Sequence, residues 1–174
     1  MGSEILKVRQ EKPSDFQDIY DLVKVGFQTA EVSNGNEQDY VIKLRASGNY
    51  IPELALVAEE SGKLIGYIML TKTYVSHSNS KFEALLLAPL CVALDHRNLG
   101  IGSKLVVEGL KLAKNLGYTT VFVVGNPLFY SRFGFQSSVL FGIKHVPMIP
   151  DQFVMVNELS VGALTDVVGT VTFT

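Results

Sequence analysis

The alternation of apolar and polar residues divides the first half of the chain into strands and helices. Residues 5–9 form a short β-prone segment. Apolar residues then recur at helical spacing from Phe16 to Phe27, after Ser14, which is the expected N-cap. A second helix is predicted over residues 37–46. Two predicted strands follow, over residues 54–59 and 64–75.

A Ser-Gly turn lies between these two strands and is typical of a β-hairpin. After a polar loop predicted over residues 76–81, the longest apolar run covers residues 85–94. Polar residues at positions 95–97 interrupt this run too soon for it to cross a bilayer, so we predict a strand buried on both faces.

A glycine-containing turn follows this central strand and opens a helix. The helix is predicted over residues 101–116, Gly117 ends it, and a strand follows over residues 119–124. Strand, helix and strand form a βαβ crossover, which requires parallel neighbours, whereas the earlier hairpin is antiparallel. The sequence therefore predicts an α/β (α+β) fold with a mixed, mostly antiparallel central sheet flanked by helices.

The signals weaken after Phe135, where strands are predicted over residues 153–159 and 167–173. We see no repeat or linker in the 174 residues, so a single domain over residues 1–174 is expected. A hydrophobic fraction of 47% fits a compact globule with a buried sheet.

Charge and composition exclude several classes of function. Fifteen Lys and Arg against seventeen Asp and Glu give a net charge of −2, so no basic field favours nucleic acid or an anionic membrane. The single cysteine, Cys91, excludes an intramolecular disulfide, and the three histidines lack metal-ligand spacing, so we predict no metal. The first residues do not resemble a signal peptide, so we expect a cytoplasmic protein; a homodimer stays open.

The turn before the third predicted helix has the properties of an anion site. Gly100 and Gly102 leave the backbone without Cβ atoms where the first amides of a helix point outward. The positive end of the helix suits a phosphate or pyrophosphate, and Arg97 and Lys104 add positive charge. A Walker A loop needs Lys before Ser, and a dinucleotide fingerprint needs a third glycine where Leu105 stands, so both fail.

The remaining pattern, Arg-x-x-Gly-x-Gly after a strand and opening a helix, resembles the loop of the GCN5-related N-acetyltransferases (GNAT family). In that family the loop binds the pyrophosphate of acetyl-CoA. Residues 126–135 resemble the second signature of the family, a short helix that carries a tyrosine and ends in Gly-Phe. The two signatures stand in the right order about 30 residues apart, which is far more specific than either alone.

This resemblance implies the acyl-CoA N-acyltransferase fold, acetyl-CoA as cosubstrate, and Tyr130 as the general acid for the departing thiolate. It also implies that the pantetheine arm pairs with backbone at the end of the central strand. The expected acetyl-CoA contacts are Leu90, Cys91, Val92, Arg97, Asn98, Leu99, Gly100, Ile101, Gly102, Ser103 and Asn126.

Alternative interpretations accompany these assignments. Tyr130 could instead be a packing aromatic among neighbouring phenylalanines. Cys91 could carry the acyl group, but a cysteine within an apolar strand is more often inert, so direct transfer is preferred. The family's glutamate base falls near Leu86, and Glu83 is three residues away, so Glu31, Glu53, Glu83 or a water chain remain candidate bases.

The first two helices wall the acceptor site in the resembled family. Phe27, Glu31 and Tyr40 are therefore candidate acceptor contacts, with core packing as the simpler interpretation. The leading hypothesis is transfer of an acetyl group from acetyl-CoA to a primary amine by direct attack on the thioester. The alternatives are a catalytically silent acyl-CoA-binding module and an O-acyltransferase.

Overall fold

The structure is a computed structural model that describes residues 5–29 and 35–173. The four helices of this described part are α1 (Phe16–Phe27), α2 (Glu37–Ala46), α3 (Ile101–Asn115) and α4 (Pro127–Tyr130). Its strands are β1 (Leu6–Gln10), β2 (Ala55–Glu60), β3 (Lys63–His77), β4 (Ser80–Val92), β5 (Thr120–Val124), β6 (Gln136–Ser137), β7 (Ile143–Lys144), β8 (Val154–Glu158) and β9 (Gly169–Thr172). None of the described helices is long and apolar enough to span a membrane.

Two local predictions are wrong. The polar loop expected over residues 76–81 is a turn of two residues, Ser78 and Asn79, because the polar residues around it lie in the exposed ends of β3 and β4. Ser14 is not the N-cap of α1. A 3₁₀ turn over Pro13–Asp15 precedes the helix, and the Asp15 carboxylate accepts a hydrogen bond from the Lys12 amide at 2.8 Å.

Arg9 also holds the Asp15 carboxylate. The two Nη atoms of Arg9 donate to the two oxygens of Asp15 at 2.8 and 3.0 Å. These hydrogen bonds lower the pKa of Asp15 below its ordinary value, so the carboxylate stays ionised and favours the helix start.

The chain divides into two compact units, and the first comprises residues 1–70 and 89–109. Here β1 pairs with β2, and β2 with β3, both antiparallel. The turn between β2 and β3 has positive φ at Ser61 (52°) and Gly62 (76°), as a tight hairpin requires. Helices α1 and α2 contribute Ile19, Val23, Val41 and Leu44 to a core that includes Val57, Tyr67 and Met69.

Close packing on β3 fixes the start of α3. An added Cβ at Gly66 would lie 2.9 Å from Leu105 Cδ1 and 3.2 Å from Ile101 Cγ2. The first separation is shorter than real Cβ atoms show and the second is tighter than most, so a larger residue at this position would displace these two side chains of α3. The position of the glycine turn before α3 therefore depends on Gly66.

The second unit comprises residues 71–88 and 110–174. Strand β5 pairs parallel with β4, at Leu85↔Val121 and Leu86↔Phe122, and antiparallel with β8. Strand β6 pairs antiparallel with β8, while β9 pairs antiparallel with β3 and parallel with β7. The core of this unit contains Val75, Leu86, Phe122, Ile143, Val156, Leu164 and Val171.

Helix α3 has Asn115 as its last residue, and Gly117 terminates it as predicted. Gly117 has φ of 94°, its amide donates to Lys114 O, and the Tyr118 amide donates to Ala113 O. This is a Schellman motif, which needs a left-handed residue. The parallel β4–β5 pair and the antiparallel pairs around it confirm the predicted mixed, mostly antiparallel sheet. The single domain stays a prediction.

A buried carboxylate holds the first unit together. Glu11, whose side chain is 1% exposed, accepts hydrogen bonds from Arg45 Nε and Nη2 at 3.0 and 2.8 Å. It also accepts from Tyr50 Oη at 2.5 Å and from Tyr67 Oη at 2.8 Å. Burial and this carboxylate raise the pKa of both tyrosines, so each remains a donor. Arg45 also stacks on the Phe16 ring at 3.8 Å.

We expect Glu11→Gln to destabilise the protein by about 3–5 kcal/mol, because it leaves the buried Arg45 cation without its counter-charge. Urea denaturation followed by circular dichroism measures this. Glu83→Gln is the matched control, since Glu83 is exposed on β4. Equal midpoints for the two variants would show that the Glu11 cluster does not stabilise the fold.

Candidate functional site

The turn before α3 has the geometry of an anion cradle. The Lys104 amide donates to Gly100 O at 3.0 Å, which makes Gly100 the N-cap of α3. The next three amides, those of residues 101–103, precede the first possible i→i−4 donor and have no acceptor within the helix. The first turn of α3 contains no acidic residue. These amides and the helix dipole favour an anion at this position.

The residues that lead into the cradle are exposed, and their backbone conformation requires particular residue types. Gly100 has φ of 81° and Asn98 has φ of 63°, in the left-handed region that glycine and asparagine tolerate best. Asn98, Leu99 and Gly100 are exposed, whereas Ile101 is buried in the core. The buried Ile101 anchors the turn.

Arg97 binds protein acceptors with its guanidinium. Nη2 donates to Gly26 O at 2.8 Å, Nη1 to Thr29 Oγ1 at 3.1 Å, and Nε makes a longer contact with Val92 O at 3.4 Å. The last carbonyls of a helix lack partners and attract cations, which explains this arrangement at the end of α1. Arg97 thus joins α1 to the end of β4, and its contact with acetyl-CoA stays a prediction.

The end of β4 alternates between buried and half-exposed residues. Leu90 and Val92 are half-exposed and Cys91 is 6% exposed. The parallel pairing with β5 involves Leu85 and Leu86, while β4 continues to Val92. The β4 chain then turns, and the Ala93 amide donates to Ile65 O at 2.8 Å.

Cys91 lies in the core under α1. An added Cβ at Gly26 would be 3.3 Å from Cys91 Cβ, so the helix and the strand approach closely here. Burial raises the pKa of the Cys91 thiol to about 12. A thiol that stays protonated at neutral pH is a poor nucleophile, which supports the preference for direct transfer.

Tyr130 lies in the second unit, at the end of α4. Its side chain is 8% exposed and its ring makes edge contacts with Phe129 (centroids 4.9 Å apart) and Phe135 (5.5 Å). Burial raises its pKa above the ordinary value. Within the described residues, no hydrogen bond involves the Tyr130 hydroxyl. The hydroxyl is therefore a protonated donor at neutral pH, and none of the described residues accepts its proton.

Asn126 caps the helix that carries Tyr130. Its Oδ1 accepts from the Leu128 amide at 2.9 Å, and Pro127 occupies the first helical position. This side-chain oxygen has a structural role, and the Nδ2 donor is the part of the amide that remains for a ligand.

The other candidates are distributed as follows. Phe27 and Tyr40 are half-buried and pack on the core of the first unit. Leu86 is a core residue, Glu53 and Glu83 are exposed, and Glu31 lies outside the described residues. Across the described residues, no group of three or more His, Cys, Asp or Glu side chains is placed to hold a metal ion.

Comparison with known proteins places this geometry in a class. The acetyltransferase (GNAT) domain family matches residues 52–137. The crystal structure of GNAT family N-acetyltransferase YhbS from Escherichia coli, in complex with CoA, superimposes with a TM-score of 0.89. It is 28% identical and covers 100% of this chain and 92% of that one. The fold is therefore that of the acyl-CoA N-acyltransferases.

Sequence relatives give the family. The uncharacterized N-acetyltransferase YhbS of Escherichia coli K12 is 30% identical over 167 residues, 95% of each chain. The uncharacterized N-acetyltransferase YjhQ of the same organism is 32% identical over 124 residues, 71% of this chain and 67% of its own. An acetyltransferase from Brucella melitensis, in complex with acetyl-CoA, has the same fold (TM-score 0.80, 24% identity, 98% of this chain and 96% of that one). The chain belongs to the GNAT family of N-acetyltransferases.

The raised pKa of Cys91 predicts slow alkylation. At pH 8 we expect iodoacetamide to label the native protein about a thousandfold more slowly than the urea-unfolded protein, because the thiolate fraction is smaller by that factor. The labelling rate of the native protein should rise about tenfold per pH unit from pH 7 to 10, since deprotonation supplies the reactive thiolate. Cys91 is the single cysteine, so total label measures it directly. Equal rates in native and unfolded protein would contradict the buried thiol.

Proposed function

We propose that this chain transfers an acetyl group from acetyl-CoA to a primary amine by direct attack of the amine on the thioester. The observation that carries the proposal is the start of α3, where three amides without an acceptor in the helix follow Gly100 and the first turn holds no acidic residue. Amides of residues 101–103 suit the pyrophosphate of CoA, and the end of β4 at the half-exposed residues Leu90 and Val92 suits the amide groups of pantetheine.

Residues of the chain supply the proton transfer and the backbone contacts that the reaction needs. When bound, acetyl-CoA supplies the acyl thioester. The amine nitrogen forms a bond to the carbonyl carbon, the carbon–sulfur bond breaks, and the proton lost by the amine passes to water. The Tyr130 hydroxyl gives its proton to the departing thiolate, which suits a buried phenol that stays protonated, and water then returns a proton to the tyrosinate. Cys91 contributes only backbone, since burial keeps its thiol protonated.

We expect Gly102→Val to weaken CoA binding at least tenfold, because a branched side chain at the second helical position obstructs the approach of a pyrophosphate to the amides. Isothermal titration with CoA measures the effect. Gly48→Val is the control, since an added Cβ at Gly48 meets nothing within 4 Å. Equal CoA affinity in both folded variants would remove the basis of the cradle assignment.

For Tyr130→Phe we expect single-turnover transfer to fall by about 10²- to 10⁴-fold, because the ring and its packing remain while the proton is lost. The assay follows thiol release with enzyme saturated with acetyl-CoA and an amine that the wild-type protein accepts. CoA affinity and melting temperature serve as controls and should be unchanged. A wild-type rate would refute the general-acid role. CoA binding without turnover on a panel of amines would instead identify an acyl-CoA-binding module, and turnover only on alcohols an O-acyltransferase.

A further inference from the structure

Helix α4, which carries Tyr130, is too short to fix the direction of its own side chains. Helix α4 has four residues, and a 3₁₀ turn over Ser131–Phe133 follows it. Helices this short are not stable alone, because one turn of hydrogen bonds does not offset the entropy of ordering it. The direction of the Tyr130 side chain is therefore set by tertiary contacts at the two ends of the segment.

At the first end, Gly125 forms the surface on which the Tyr130 ring lies. An added Cβ at Gly125 would be 3.0 Å from Tyr130 Cδ2 and would overlap Cε2. The Gly125 amide donates to Phe153 O at 2.9 Å, just before β8. The residue before β8 thus holds the backbone beneath the ring.

At the second end of the segment, after Tyr130, the tertiary contact comes from a residue of β8 itself. Asn157, 8% exposed, donates from Nδ2 to Phe133 O at 2.8 Å. Phe133 precedes Gly134, whose φ of 92° ends the 3₁₀ turn, and an added Cβ there would be 3.3 Å from Asn157 Nδ2. The carbonyl at the end of this turn has no successor in the helix to donate to it, so the Asn157 amide fills that position.

We propose that Asn157 is a positioning residue, which fixes the Tyr130 hydroxyl by holding Phe133 and so the end of the Tyr130 segment against β8. This inference rests on the proposed function where catalysis is concerned. Position 157 therefore requires a hydrogen-bond donor on a side chain as long as that of asparagine. A leucine leaves the Phe133 carbonyl unpaired, and an ionised aspartate sets one acceptor against another.

The position of Tyr130 is measured without any acceptor by ¹⁹F NMR of full-length protein labelled with 3-fluorotyrosine. The chain has seven tyrosines, and the Tyr130 resonance is the one missing from Tyr130→Phe. In Asn157→Leu we expect this resonance to move towards the shift of an exposed tyrosine, while those of Tyr50 and Tyr67 stay in place. Asn115→Leu is the control, since Asn115 is exposed at the end of α3. A Tyr130 resonance at its wild-type shift in folded Asn157→Leu overturns the proposal.

Asn157→Asp gives a second test in case the leucine variant does not fold. Near neutral pH the ionised carboxylate cannot donate, so the Tyr130 resonance should be displaced as in the leucine variant. On acidification the protonated carboxyl donates to Phe133 O, and the resonance should return towards its wild-type shift. A resonance in this variant that stays at the wild-type shift across this pH range also overturns the proposal.

A double-mutant cycle connects position with rate. Asn157→Leu should lower single-turnover transfer by about 10²-fold where Tyr130 is present, since misplacement of about 1 Å costs this much. In the Tyr130→Phe background the same substitution should change the rate less than twofold. Equal effects in both backgrounds would mean that Asn157 does not act through Tyr130. If Tyr130→Phe itself keeps the wild-type rate, the general-acid role fails, and the NMR shifts still decide whether Asn157 positions the ring.

Discussion

The ionised carboxylate of Glu11 imposes the strictest constraint on the first unit. A charge that is 1% exposed must be paired and fully hydrogen-bonded, or it costs several kcal/mol. Its donors come from α2, from the segment before β2 and from β3, through Arg45, Tyr50 and Tyr67. These segments can satisfy the charge only in one arrangement. The ion pair therefore fixes the position of α2 more strictly than the apolar contacts of this helix, through Val41 and Leu44, would do alone.

The apolar pattern predicts most of the helices and strands, because each buries one face and the spacing of its buried residues is visible within a short stretch of sequence. The bounds of α2 agree with the prediction at both ends, and the hairpin turn at Ser61 and Gly62 is where its residue types place it. The polar ends of β3 and β4 were missed, since solvated strand residues do not differ in composition from loop residues. Strands of two residues, β6 and β7, are too short to show any periodicity.

In the candidate site, too, the local structure could be predicted from the sequence and the long-range contacts could not. A cradle made from consecutive amides is a local structure, so glycine spacing and the resemblance to a known loop suffice to predict it. The partners of its side chains are not local. Arg97 reaches Gly26, which is 71 residues away, and Asn157 reaches Phe133, which is 24 residues away. In the sequence each is an ordinary polar residue, and only the folded chain shows which carbonyl it satisfies.

The internal use of the Arg97 guanidinium has a consequence for how an anionic ligand arrives. The potential of neutral amides and a helix end is short-ranged, whereas a free guanidinium attracts over roughly a Debye length of about 8–10 Å. The partners of Arg97 are neutral carbonyl and hydroxyl oxygens, so it keeps its positive charge while its donors are engaged within the protein. With a net charge of −2, the chain as a whole adds little long-range attraction for a polyanion. Arg97 can then draw the ligand towards the turn through its field, whereas the ligand is selected by how well its phosphates fit the amides after contact.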